Sequence, residues 1–547
     1  MKRFTLTLLT VLLAFSFVYA GGLVHNTNQS TAWTRMLARD ASVDIDAVFY
    51  NPAGLTKLKD GFHISISNQS VFQKKPIYST YPYLNSGEYE GTVSAPLFPS
   101  VYMAYKTGRW AFSLGFNPIG GGGSATFDKG LPSIETPIAG AAAGFAPYGV
   151  TGYSADIFFE GSSVYWGLQG GISFAISDAV SIYAGARYVI ATNTYTGHVK
   201  DVSFQTEAGT IRADAFMIGL ADQASAGATQ AIYVGDQMEP LIEFGAGGYT
   251  IGQTVQAGLI TPAQGALMAG GLIQFGYPPD VVNAMTLDEV QSTYFTTAGA
   301  LEQQAAELTV GAGLMGDQEA DVKQTGSGIT PIVGLNLAFF EDKLNIGVKY
   351  EFKTKMDLTN ETAPGKGFRN GFDPETGEYT EMFPDGAITN ADIPAFLSVG
   401  IRYQIIDNVN IQVGYHTYFD SKAGWAKTED GTELIDHNYT ELAAGVEWNI
   451  TNKFLLSGGY LTTITGVNNY YQSDLNNSFS TTTFGFGGAY AFNDTFKLQF
   501  GGYYTMYIQQ TVPQVGSESS MIYSETYDKE TWAISIGLDI AIHSKKK

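Results

Sequence analysis

The sequence predicts an all-β fold, a 14-stranded antiparallel transmembrane β-barrel carrying one long, partly helical extracellular loop. Three observations predict it. Alternating apolar/polar runs recur along the chain, tight Asx-rich turns and long polar loops join them in turn, and no apolar stretch is long enough for a spanning helix. Six tight joints can be read directly: Lys106-Thr107-Gly108-Arg109, Ser177-Asp178, Glu341-Asp342-Lys343, Asp407-Asn408, Thr451-Asn452-Lys453 and Asn493-Asp494. Short turns at one end and long loops at the other are the mark of an outer-membrane barrel.

The chain opens on an export signal. Lys2 and Arg3 form a basic start, Leu6 to Val18 an apolar stretch, and Val18-Tyr19-Ala20 a small-x-small cleavage site, so residues 1–20 are set apart from the fold. Cysteine is absent, which removes disulfides, thiol nucleophiles and Cys-ligated metals. The net charge of −22 argues against a nucleic-acid partner. Between Asp201 and Gly328 there are 15 acidic and 2 basic residues, so more than half of that excess sits in one inserted segment.

The last run, Trp532 to Ile542, places Trp532, Ile534, Ile536, Leu538, Ile540 and Ile542 on one face and Ala533, Ser535, Gly537, Asp539 and Ala541 on the other. In a soluble sandwich the apolar face turns inward; in a membrane barrel it meets lipid. Leu344–Phe352, Val409–Tyr415 and Phe496–Phe500 repeat the pattern, with aromatic residues near their ends. About 14 such runs are predicted, near 62–71, 98–106, 109–117, 163–176, 180–195, 329–340, 344–356, 395–406, 409–419, 438–450, 454–465, 479–492, 495–508 and 531–543. An even number places both chain ends, and the tight turns, on the periplasmic side. The barrel is thus expected over 61–543.

Residues 196–328 form the longest insertion. Thr261-Pro262 reads as a helix start, Thr286 to Glu289 as a capping box, and Thr297 to Leu308 is rich in helix formers. An ordered cap over the extracellular mouth is expected there.

The segment 21–60 precedes the first strand and carries Asp46-Ala47-Val48-Phe49-Tyr50-Asn51-Pro52-Ala53-Gly54-Leu55. This run resembles the mature N-terminus of the outer-membrane long-chain fatty acid and aromatic hydrocarbon transporter family (FadL-like). The Pro394–Gly400 run and the Tyr415–Phe419 aromatic strand look like later strands of the same family. The resemblance implies a barrel plugged by an N-terminal hatch, with hydrophobic ligands captured outside, held beside the hatch and released sideways through a gap at a kinked third strand. It implies a hatch motif of Asn51, Pro52, Ala53 and Gly54 lying near that gap. The third strand here ends in Phe116-Asn117-Pro118-Ile119-Gly120, and proline and glycine at that point suit a break in pairing. The implied partners are hydrophobic small molecules, fatty acids or aromatic hydrocarbons, and the lipids of a bacterial outer membrane. A monomer is expected, since a closed barrel leaves no unpaired edge.

No catalytic pattern emerges. His25, His63, His198, His416, His437 and His543 have no metal-ligand spacing, Gly120–Gly123 lacks the Lys-Ser/Thr of a phosphate loop, and no Gly-x-Ser-x-Gly elbow occurs. The chain is read as a non-enzyme with no cofactor and no metal. An apolar carboxylate ligand needs an apolar pocket and a cation or two. Alternation points Arg187, Lys349 and Arg402 into the lumen, where they are candidate carboxylate contacts, together with Glu351, Glu447 and Asp539. A lumenal ion-pair network is the competing role for all six. A non-selective porin and an adhesive or structural surface barrel are the alternative functions.

Overall fold

Residues 25–428, 430–515 and 521–543 are described by the structure, a computed structural model; the expected export signal lies outside the described residues. Fourteen antiparallel strands close on themselves: β1 (Gly61–Ser79), β2 (Glu88–Thr107), β3 (Trp110–Phe127), β4 (Val150–Ala175), β5 (Val180–Thr206), β6 (Gln318–Phe339), β7 (Leu344–Glu351), β8 (Phe396–Ile406), β9 (Val409–Tyr418), β10 (Tyr439–Asn449), β11 (Phe454–Ile464), β12 (Thr481–Ala491), β13 (Phe496–Tyr507) and β14 (Glu530–His543). Ile534 shows the closure: it lies opposite Gly502 of β13 on one side and Ser70 of β1 on the other. The six tight joints all separate neighbouring strands. Gly108, Glu341 and Asp342 take the left-handed backbone that such short reversals demand.

The exposure pattern decides which way the strands face. Ile534 and Ile536 are each 58% exposed, while Ala533 is 2% and Ser535 9%. The apolar face therefore points out of the barrel, as lipid requires and water would not allow. Aromatic pairs mark the turn-side rim, including Trp110 against Phe174 and Tyr490 against Phe492.

Two boundaries differ from the periodicity. Strands β1 to β5 are 18 to 27 residues long, well beyond the membrane. Outside lipid the outward face need no longer be apolar, while inward residues such as Ile157, Phe159, Val202 and Phe204 pack against the loops, so the alternation weakens while backbone pairing continues. For the same reason the insertion is shorter than 196–328: β5 and β6 stay paired out to Val199 and Gln318. The run expected over 344–356 stops at Glu351.

Four longer helices lie in the loops: α1 (Pro132–Gly144), α2 (Ala213–Asp236), α3 (Pro262–Gln274) and α4 (Leu287–Met315). Thr261 caps α3 with Gln264, and Thr286 caps α4 with Glu289, at the starts the sequence marks. Helix α2 has no such punctuation. Its buried face is mostly small (Ala221, Ala224, Ala228, Ala231), which lets it lie close against α4. The inner part of the lobe shares a core with Phe145, Phe159 and Phe204 of the neighbouring loops and strands. Its outer part has a core of its own around Leu272, Val290 and Tyr294.

The loops also hold a buried acid pair. Glu525, on the short outer strand Ile522–Tyr527, has its carboxyl pushed up to about 7, first by burial and then by the neighbouring Asp474 charge. A carboxyl raised above its ordinary 4.5 favours the fold while protonated. That contribution is complete below the unfolded value and is lost as pH rises through the folded one. Amide exchange over 522–527, corrected for intrinsic rates, is therefore expected to be faster at pH 8 than at pH 5. Glu525→Gln should flatten that profile; an unchanged profile would assign the effect elsewhere.

Candidate functional site: the lumen and the break in its wall

The lumen is filled by the N-terminal segment. It forms one helical turn at Thr31–Thr34, capped by Ser30, a second at Ala47–Tyr50, and a 3-10 turn at Pro52–Lys57. Glycines on the inner face of the wall make room for it. A Cβ at Gly347 or Gly400 would overlap Asp40, one at Gly445 or Gly459 the Met36 carbonyl oxygen, and one at Gly485 would come within 2.6 Å of the Thr34 oxygen. A Cβ at Gly501 would come within 2.9 Å of Arg35, and one at Gly537 within 2.9 Å of Thr31. A seam of missing side chains thus runs around the strands from β7 to β14, and the segment 31–41 lies in it.

Buried polar groups tie the segment down. Arg39 meets both carboxylate oxygens of Asp46 at 2.8 Å, and also reaches Asp44 at 2.7 Å and Ser42 at 2.9 Å. Arg35 reaches out to Glu447 at 2.7 Å and Ser457 at 2.8 Å on the wall. His416 stands between Asp40 of the segment and Glu441 of β10, bonded to both.

The candidate cations take specific places. Arg187 makes a two-pronged contact to Glu351 at 2.6 and 3.0 Å, and Lys349 donates to Glu351 at 2.8 Å and to the Phe49 carbonyl at 2.7 Å. Both are committed to one carboxylate and to the segment, so they form an ion-pair network. Arg402 is half-buried and within electrostatic reach of Asp44. Lys497 pairs with Asp539 at 3.2 Å.

The Asn51-Pro52-Ala53-Gly54 motif anchors the segment to the opposite strands. Asn51 donates to Asn336 of β6 at 2.8 Å and to the Ser42 carbonyl at 3.1 Å. The Pro52 carbonyl accepts from Ser173 of β4, Ala53 packs on Tyr183 of β5, and a Cβ on Gly54 would come within 2.5 Å of the Ser42 oxygen. The motif does not line the break described next: its wall partners lie on β4, β5 and β6, and the residues that meet the break lie earlier in the segment, at Asn26 and Gln29.

The wall is interrupted between β2 and β3. Pairing holds from Gly91 to Ser94 and again from Val101 to Thr107, and lapses between. The lapse contains Pro96 and Pro99 on β2 and Pro118 on β3, none of which can donate to a ladder. On its other side β3 carries two bulges against β4, with Ile119 and Gly122 as the extra residues, and Gly121 and Gly123 adopt positive φ. Asn117, Pro118 and Gly120 are buried, whereas Phe116 faces outward and stacks on Trp166. The freed polar groups are met by the N-terminal segment. Gln29 donates to the Pro118 carbonyl at 2.8 Å and accepts from Asn117 at 2.9 Å, and its own carbonyl accepts from Ser100 and Tyr102. Asn26 donates to the Gly121 carbonyl at 2.6 Å.

A cavity of about 470 Å³ lies above the segment. Its lining includes His25, Asn26 and Trp33 of the segment, Phe98 and Gly121 to Gly123 of the break, and Phe159, Tyr165 and Phe479. Below it a pocket of about 50 Å³ reaches Arg187, Lys349 and His416, with His25 bordering both. Among the described residues no group of three or more His, Asp or Glu could hold a metal ion. The sequence alone assigns no role to Gln29 or to the Pro96/Pro99 pair. The two prolines three residues apart inside one strand were the available signal.

No protein-family model matches the chain, and no curated protein matches it. Similar solved structures include a Pseudomonas aeruginosa FadL homologue at 13% identity, covering 96% of this chain and 100% of that one with a TM-score of 0.56. The Pseudomonas putida toluene transporter TodX is another, at 10% identity, 92% and 95% coverage and a TM-score of 0.47. From its closed ring of fourteen antiparallel strands and its alignment over nearly the whole length of that homologue, the chain has the FadL-type barrel fold.

Proposed function

We propose that the protein is an outer-membrane channel for passive uptake of hydrophobic compounds, entering from outside and leaving sideways into the membrane. One observation carries the reading: the lumen cavity of about 470 Å³ is bordered by the interruption between β2 and β3. Between β2 and β3 that space is bordered by side-chain contacts, those of Gln29 and Asn26 among them, and not by a full ladder. A volume of about 470 Å³ falls in the range of small-molecule sites. The filled lumen speaks against a non-selective porin. No energy-coupling element is needed; ligand binding that favours a displaced Gln29 would shift the population toward the open wall.

The test restores the wall. Deleting Ile119 and Gly122 removes both bulges and straightens β3 against β4, and replacing Pro96, Pro99 and Pro118 by Thr in the same chain supplies the ladder donors missing toward β2. Uptake of labelled oleate and toluene is measured in cells lacking their own transporters. The wild-type chain is expected to support uptake of at least one compound, and the deleted chain to lose most of it while still inserting. Wild-type uptake through the repaired wall would rule out lateral exit.

A further inference from the structure

The extracellular lobe carries acid without compensation. Between Ala213 and Gly316 there are ten Asp and Glu and no Lys, Arg or His. Of the ten, only Asp214 has a cation partner, Arg212 at the base of the lobe. The outer parts of the strands and the other loops differ, for Glu90, Glu319, Glu361 and Glu433 each stand beside a lysine. Charge placed for solubility alone goes with few exposed large apolar groups. Here Phe244, Leu267, Val281 and Phe295 are all exposed on the same acidic lobe.

An open groove of about 730 Å³ runs between the short helix Pro279–Ala284 and the first two turns of α4. Val281, Ala284 and Met285 give it an apolar side, and Asp288, Glu289 and Ser292 a polar one. Phe295 is exposed one turn beyond Ser292 on the same helix. The groove is held from below. Val282, Leu287 and Val290 are buried in the lobe's own core, and the Leu287 and Asp288 amides donate to the Tyr249 and Gly247 carbonyls. Glu289 is occupied in capping α4, its carboxylate accepting from the Thr286 amide at 2.8 Å. The Asp288 carboxylate lies against Gly247, where a Cβ would come within 2.5 Å of it, and has no ion-pair partner among the described residues. A preformed groove loses little freedom when it is filled.

We infer that this groove is a docking site for a cationic amphipathic segment of another protein, presented from outside the membrane. Exposed apolar surface edged with unpaired carboxylates fits a segment that offers large apolar side chains flanked by Lys or Arg. Val281 and Met285 receive the apolar groups, the Met285 thioether adapting to their shape, and Asp288 meets the basic one. A second copy of the chain brings the same uncompensated acid to the contact and is repelled. The role is separate from uptake: the groove shares no lining residue with the lumen cavity.

The test is equilibrium binding of labelled peptides to the full-length barrel in phosphatidylcholine nanodiscs, with empty discs as the background. The probes are an amphipathic leucine–lysine peptide of about 12 residues, long enough to span two turns of α4, its leucine–glutamate counterpart, and oligolysine of equal length. The leucine–lysine peptide is expected to bind above background, oligolysine at least about tenfold more weakly, and the glutamate peptide not at all. Val281→Asn should weaken the leucine–lysine peptide about tenfold, and Asp288→Asn about threefold. Asp222→Asn removes the same charge from an exposed position on α2 and should change binding by less than about twofold. All three side chains are exposed, and heat-modifiable gel migration verifies folding of each variant. Equal weakening by Asp222→Asn and Asp288→Asn would mean diffuse attraction by the whole lobe and would overturn the proposal. Binding that survives Val281→Asn, or none above empty discs, would overturn it as well. Dimerisation of the barrel abolished by Val281→Asn would give the groove to a second copy and refute the cationic partner.

Discussion

Gly459→Leu should yield a barrel that inserts normally and conducts ions persistently. A Cβ at that position overlaps the Met36 carbonyl oxygen, and the atom in the way is backbone, held by the turns on either side of it. No rotamer change relieves such a clash, and overpacking of this kind costs about 3 kcal/mol or more. The cost falls on the segment, because the wall is held by continuous ladders from β10 through β12. Planar-bilayer recordings are expected to show stable open currents for the variant and brief, rare openings for wild type. Gly458→Ala is the matched control: its added methyl points to lipid and meets nothing closer than 3.7 Å. Equal currents from the two variants would show that the seam does not position the segment.

Arg39→Met should loosen the same segment by another route. The substitution keeps the volume and removes the charge, stranding Asp46 beside Ser30 and Ser42 in the lumen. Breaking one side of a buried pair costs about 3–5 kcal/mol, more than a surface pair ever does. Amide protection over 31–56 should fall accordingly while the strands keep theirs. Adding Asp46→Asn removes the stranded charge, so the double variant is expected to recover part of that loss. Strictly additive losses would mean that the two residues act independently, against the geometry.

How much of this was legible in the residues varies with the kind of signal. The strands could be read because lipid imposes period two; Trp532 to Ile542 announces its faces without help from any other part of the chain. The caps at Thr261 and Thr286 could be read because they are local chemistry. What escaped is relational. Gly347, Gly400, Gly445 and Gly459 look like ordinary small lumen residues until the segment is laid beside them. Gln29 sits in a polar stretch, and only the missing ladder between β2 and β3 explains it. Alternation turns Arg187 and Lys349 inward, but it says where a side chain points and nothing about what it meets.

The glycine seam also orders events in time. Its contributors run from Gly347 to Gly537, so the berth for residues 31–41 is complete only when the last strand has joined. The first part of the mature chain to emerge is therefore the last to settle. Contacts spanning some 500 residues make that step slow, since a long loop must close before any gain is returned. A chain shortened before β13 would keep most of its wall and leave its own beginning exposed. Proteases of the surrounding compartment could then tell finished barrels from unfinished ones by a single accessible stretch.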